Sequence, residues 1–380
     1  MKTLAQRVFE HADAHPHDTA QLVKRRGSWV AIDWLQYATH VRAAASTLVD
    51  AGVAHGDAVL VIGDNAPEVV WTMLAVLAVG AVVLPVDPAA TASQVAKALR
   101  LCGAKHAVVG DLEQIDKLRG LPLARCFVWN ARAVVEDFSP TPTLLDFEPS
   151  IPAALAQASS CHSPSATEAR RAGPSMQAGH DACDAPAFAS IDRSSSSPRA
   201  TTERELVDAA QAALAALQIA PGDRYLCSVP LATEVGRVVG LAMPLLVPLV
   251  ACFQESPDQV ESALAELQPE LVMMDAAYWE RTASMLERRM RRGVFLQREA
   301  GSIVVRRGWR EALVQRPLRR QLGLANAKTV LSIGAGRSYE GLEACGVALI
   351  AIDGRGAIAG AEARTTPAPA TCGEAREVTS

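Results

Sequence analysis

The stretch Gly52 to Pro88, GVAHGDAVLVIGDNAPEVVWTMLAVLAVGAVVLPVDP, constrains the fold more than any other part of the chain. Gly52 and Gly56-Asp57 are turn signals ahead of an uninterrupted, β-branched apolar run, Ala58 to Ile62, which reads as a strand buried on both faces. Asp64 or Asn65 is placed to cap a following helix, and Pro67 suits its first turn. Val69 to Val79 is apolar on most faces, Gly80 is a C-terminal stop, and Ala81 to Leu84 reads as a second strand ended by Pro85 and Pro88. Strand, crossover helix and strand make a βαβ unit and therefore a parallel sheet.

The flanking segments extend an alternating α/β pattern. Helices are expected over 1–14, 34–51 (capped by Asp33), 92–101, 206–217, 258–267 and 278–291. Strands are expected at 21–24 and 28–32 around an Arg26-Gly27 turn, then at 106–109, 225–230, 271–274, 329–333 and 347–352, with a short helix over 339–345. The chain divides into a first α/β subdomain (1–150), an Ala/Ser/Pro-rich loop without apolar period (151–200), a second α/β subdomain (201–360) and a disordered tail (361–380). With 380 residues, 49% of them hydrophobic, the chain can bury a large core.

A net charge of -4 and 4% aromatics argue against nucleic acid, and the arginine-dense stretch 281–320, mixed with acids, reads as a solvated helical surface. Eight scattered cysteines and no signal-peptide core fit free thiols in the cytoplasm. Val238 to Phe253 is apolar but shorter than the about 20 residues of a membrane span, and Pro244 and Pro248 interrupt it, so it reads as a buried helix leading into a strand. His11, His15 and His17 lack a rigid spacing and a fourth ligand; Cys161, His162, His180 and Cys183 are ligand types too, but the Cys161/His162 half lacks a usual ligand spacing and the segment is low in complexity, so no metal site is expected.

Several stretches, in order, resemble the AMP-forming acyl-CoA synthetases, the adenylate-forming ligases, and most closely their long-chain fatty acyl-CoA ligase branch. Gly52 to Pro88 resembles the family's G-V-x-x-G-D-x-V…N-x-x-E-W…G-A-V-x-x-P block. Pro221 to Leu245 resembles the segment after the phosphate loop, Tyr278-Trp279-Glu280-Arg281 stands in place of P-R-x-W-E-x, and Arg316 to Cys345 is similar to R-P-L-R…S-G-G-A-P-L-S-x-E. The resemblance implies the large N-terminal domain of that family, with mostly parallel sheets flanked by helices. It also implies chemistry in which a carboxylate attacks the α-phosphate of ATP, with Mg²⁺, before a thiol displaces AMP.

The residues that would carry this chemistry depart from the family pattern. The phosphate loop T-S-G-T-T-G-x-P-K-G is matched by Ile191 to Ala200, IDRSSSSPRA. There Ser194 and Ser195 stand for the hydroxyls, Ser196 and Ser197 continue the run, Arg199 stands for the lysine, and Arg193, Ser196 and Ala200 replace glycines. The string also reads as a Ser-rich, phosphorylatable loop. Thr233 stands where the family has a nucleotide-side histidine. Of Y-G-x-T-E only Gly356 remains within 355–359, and the ribose-binding aspartate, hinge and C-terminal domain with its catalytic lysine find no counterpart.

The expectation is therefore a degenerate, truncated acyl-CoA synthetase-like pseudoenzyme with no assigned catalytic residue, binding an acyl ligand or a partner protein. One alternative is an ATP-dependent ligase completed in trans. Another is a Rossmann-like nucleotide site over 329–353, with Gly334 and Gly336 facing S-adenosylmethionine or NAD and Asp353 on its ribose. A frameshifted or decaying reading frame would also give such a composition.

Overall fold

The computed structural model describes residues 1–129, 182–191, 197–292, 316–334, 339, 342–343 and 345–358, and the backbone of Thr143–Asp146; side chains of 276–292 are described through 288. Two seven-stranded sheets dominate it. With strands numbered in chain order, one runs β7-β6-β5-β3-β4-β8-β9, where β5 is His106–Val109, β6 Arg125–Val128 and β7 Thr143–Asp146; the other runs β14-β13-β12-β10-β11-β1-β2, where β10 is Arg224–Leu226, β11 Val250–Phe253, β12 Leu271–Asp275, β13 Thr329–Ile333 and β14 Ile350–Ile352. The opening βαβ unit lies at the centre of the first sheet: β3 (Ala58–Ile62), the helix α3 (Pro67–Ala78) and β4 (Val82–Val86). β3 and β4 pair in parallel from Ala58↔Val82 to Ile62↔Val86. In each sheet only the edge hairpin is antiparallel, β8 with β9 (Pro186–Ser190, Arg199–Thr202) and β1 with β2 (Thr19–Arg25, Ser28–Asp33).

The two-residue side-chain period of β3 explains the layering. Val59 and Val61 join the largest apolar cluster, which also takes Phe188 from β8 and Tyr225, Phe253, Met273 and Leu331 from the other sheet. Helices α1 (Leu4–Ala14), α2 (Trp34–Asp50), α3 and Glu203–Ala216 fill that cluster between the sheets. Leu60 and Ile62 face the opposite side, against α4 (Ala92–Cys102). A third cluster covers the outer face of the second sheet with Val260–Leu267 and Ala276–Arg292, around the buried Trp279. Because α3 lies in the middle layer, ten of its twelve residues are buried, each large apolar one contributing roughly 1.5–3 kcal/mol.

Two local expectations fail for physical reasons. Asn65 and Asp64 do not cap α3; its N-cap is Ala66, with no side-chain cap bond. The Asn65 side chain turns instead to the other sheet (below). Pro85 does not end β4 but lies inside it, opposite Val61. β4 meets its other neighbour, β8, at the single pairing Val83↔Phe188, so a missing N–H at Pro85 costs the ladder little.

The expected loop over 151–200 holds β8 and the start of β9, whose hairpin frames the Ser-rich string. Val238–Phe253 becomes a π-helical segment (Val238–Ala242), a helical turn (Met243–Leu246) and β11 (Val250–Phe253). Among the described residues no helix is long and apolar enough to cross a membrane. Cys161, His162 and His180, residues 293–315 of the arginine-dense stretch and the tail lie outside the described residues. No group of three or more His, Cys, Asp or Glu able to hold a metal ion occurs among the described residues.

The N-terminal helix is tied down by a buried carboxyl. Glu203, 3% exposed, accepts a hydrogen bond from Leu4 N–H at 2.6 Å. Burial pushes its pKa up from 4.5 to about 7, against the opposing effects of that bond and of Arg7. The folded protein therefore holds a proton that the unfolded chain has released, and stability falls as pH rises from 4.5 to about 7. Glu203→Gln should abolish this slope, worth on the order of 3 kcal/mol. His40, stacked on Trp71 at 3.9 Å and held down to about 4, titrates in both proteins and cancels in the difference. Urea denaturation of both from pH 4.5 to 8 decides it; parallel stability curves would refute the assignment.

Candidate functional site

A cleft of about 420 Å³ opens where the two sheets approach. One wall comes from Leu84 to Asp87 at the end of β4, Ser190 and Ile191 at the end of β8, and Arg199 at the start of β9. Lys97 on α4 joins that wall. The other wall is the turn Ala232-Thr233, the helical turn Glu234–Arg237 and Gly354 after β14. Three places that the family resemblance singled out meet here: the end of the phosphate-loop string at Arg199, the histidine position at Thr233 and the loop carrying Gly356.

Each has a definite local role. Arg199 Nη1 pairs with Glu234 Oε2 at 3.2 Å, tying the β9 edge to the opposite wall. Thr233 is the N-cap of Glu234–Arg237; its hydroxyl donates to Pro230 O at 2.7 Å and accepts from Gly236 N–H at 3.1 Å. The Asp353 carboxylate accepts from the N–H groups of Arg355 and Ala357, both at 2.8 Å, and so closes its own turn. Gly356 stands at φ +91°, and a Cβ there would meet Val238 Cγ1 at 2.8 Å, so this glycine lets the turn lie against the π-helical segment. Ser197 is exposed; Ser194, Ser195, Ser196 and Gly336 lie outside the described residues. Gly334 closes β13, donating to Ile352 O at 2.9 Å, and does not line the cleft.

Asn65 holds the two sheets together beside the cleft. Its Nδ2 donates to Cys227 O at 2.9 Å and Val229 O at 2.7 Å, and its Oδ1 accepts from Leu231 N–H at 3.1 Å. Only one orientation of the amide satisfies two carbonyls and one N–H.

Arg237 is the site residue that sequence reasoning missed. It is 1% exposed. Its Nη1 donates to Leu231 O at 3.3 Å and Ala232 O at 2.8 Å, and the guanidinium lies 4.9 Å from the Phe188 ring centroid. Its Nε is buried with no hydrogen-bond partner among the described residues. Burial pulls its pKa down to about 10; Glu234 opposes that shift and Arg199 adds to it. The available signal was a lone arginine heading the apolar run VVGLAMPLL.

A second cavity, of about 360 Å³, lies at the carboxyl ends of β10, β12 and β13 and includes Ser228, Asp275, Tyr278 and Arg281. The aromatic pair of the YWER stretch is partly structural there: Trp279 Nε1 donates to Leu331 O at 3.0 Å, and burial pushes the Tyr278 phenol up to about 12.

Residues 8–167 match the model of the family described as AMP-binding enzyme. Over 93% of the chain, the structure superposes on the N-terminal domain of FACL13 from Mycobacterium tuberculosis, with a TM-score of 0.63 and 14% identity. The fold is that of the adenylate-forming enzymes. A benzoate CoA ligase from Burkholderia xenovorans LB400 gives a TM-score of 0.66 at 17% identity over 93% of this chain. The coronafacic acid ligase from Pectobacterium brasiliense gives 0.67 at 15% identity over 94%. The adenylate-forming fold here spans 76% of the FACL13 domain but 61% and 62% of those two ligase chains. No curated protein matches the chain in sequence.

Proposed function

We propose that this acyl-CoA synthetase-like chain binds an anionic ligand, an acyl carboxylate or a nucleotide phosphate, in the cleft between its sheets, and is impaired in ligation. One observation carries the reading. The cleft wall carries three cationic side chains, Lys97, Arg199 and Arg237, against two carboxylates, Asp87 and Glu234, the latter paired with Arg199, so the lining keeps a net positive charge, while the hydroxyl in the histidine position is used up in capping. The cationic wall suits phosphoryl or carboxylate oxygens. It suits the rest of ATP·Mg²⁺ poorly: no described lining residue is aromatic, and of the two lining carboxylates Glu234 is engaged by Arg199. Protein partners and a cytoplasmic site of action belong to the same reading.

A ligase completed in trans is the second reading, favoured by Arg199 standing in the cleft wall where the resemblance sets the phosphate-loop lysine. Pyrophosphate exchange with ATP·Mg²⁺ and a panel of fatty acids tests both. The chain alone should give no exchange above background, while calorimetry detects binding of pyrophosphate or a fatty acid. Exchange by the isolated chain would discard the first reading; exchange that appears only when a C-terminal ligase domain is added would establish the second.

A further inference from the structure

Arg237 is built into the cleft in a way that its structural duties do not exhaust. Nη1 serves two backbone carbonyls, and Cζ lies over the Phe188 ring, 4.9 Å from its centroid. The Nε/Nη2 edge has no acceptor among the described residues, and Nε itself is buried. The one carboxylate next to it in the helical turn, Glu234, is already paired with Arg199. A buried cation without a dedicated carboxylate is costly, and a second arginine nearby raises that cost. An incoming oxyanion relieves both. The free edge is also the guanidinium edge that matches two oxygens of one planar or tetrahedral anion.

We infer that Arg237 reads the oxyanion of the ligand, its Nε/Nη2 edge donating side-on to two oxygens of a carboxylate or phosphoryl group in the cleft. This rests on the reading of the cleft as an anion site. It adds the residue that sets the ligand class, one lying outside the Ser-rich string and the 353–358 loop. The two carbonyl bonds, with the Phe188 ring beneath Cζ, fix the orientation of the fork before the ligand arrives, so discrimination favours groups with two adjacent anionic oxygens over a single hydroxyl or a neutral amide.

The test is calorimetry on the full chain with pyrophosphate and octanoate, and with octanamide as the uncharged control. Wild type should bind one or both anions and not the amide. Arg237→Met should weaken the bound anion by about ten-fold or more, and Arg237→Lys, which keeps the charge and loses the fork, by a smaller factor. Preference for pyrophosphate assigns the group to a nucleotide phosphate, and preference for octanoate to an acyl carboxylate; either supports the inference.

Arg237→Met can fail to fold because the carbonyls of Leu231 and Ala232 lose their donor. The Nε–H resonance of Arg237 in wild type, identified by its loss in Arg237→Lys, is therefore followed during each titration and should shift in step with binding. Wild-type binding with an unmoved Nε–H signal, or binding by Arg237→Met within two-fold of wild type, overturns the inference and leaves the anion site standing. No binding of either anion by wild type overturns both.

Discussion

Gly236→Ala should destabilise the protein by at least about 3 kcal/mol, a large loss for a single methyl group. A Cβ at Gly236 would sit 2.1 Å from Pro230 O, 2.8 Å from Pro230 C and 2.8 Å from Thr233 Oγ1. Two of these are backbone atoms and cannot rotate aside. The third is the hydroxyl that caps the same turn, bonded to Pro230 O and Gly236 N–H. The substitution therefore pushes the turn Pro230–Thr233 away from the helix it starts, and with it the carbonyls of Leu231 and Ala232 that orient Arg237. Anion binding should weaken along with stability. Urea denaturation with unchanged m-value measures the first; a loss under about 1 kcal/mol would show that the turn gives way more easily than the contacts imply.

Asn65→Ala should cost about 2–4 kcal/mol, because it strips partners from three backbone groups at the junction of the sheets. Asn65→Asp is the sharper variant. It is nearly isosteric, yet it places an acceptor, charged at neutral pH, opposite the carbonyls of Cys227 and Val229. It should be at least as damaging as the alanine. An aspartate variant close to wild type in a denaturant titration would mean that the amide does not bridge the sheets.

The architecture was readable because local chemistry and long-range packing agree over most of the chain. The β-branched run at β3, the proline in the first turn of α3 and the parallel partner at β4 each follow from neighbouring residues. Asp33 caps its helix with a full capping box, as expected from its position. What the sequence concealed depends on partners far along the chain. Asn65 looks like a cap by its position before a helix, but its acceptors lie 162 and 164 residues away. Pro85 looks like a strand terminator, and only the sparse pairing with β8 shows why it is tolerated.

The candidate site was half legible. Arg199, Thr233 and the loop of Gly356 were marked by motif position, and the fold brings all three to one cleft. Their roles were not legible, since capping by Thr233 and packing of Gly356 on Val238 are properties of the folded turn. Arg237 carried no motif at all. A single cation at the head of an apolar helix means nothing until the ring beneath it and the empty edge beside it are seen.

The β1–β2 hairpin lies in the second sheet, with Gln21 of β1 registered on Ala251 of β11. A ribosome releases this hairpin well before its partner strand, β11, which lies beyond every strand of the first sheet. The first sheet depends on no strand beyond β9, so its strands are available sooner, whereas the hairpin must wait, its edges unpaired, for β11. Contacts of such sequence separation slow folding and expose the nascent chain to association with other chains. Chaperone dependence during synthesis should thus concentrate on the first thirty-odd residues, although the sheet they complete is built almost wholly from the other end of the chain.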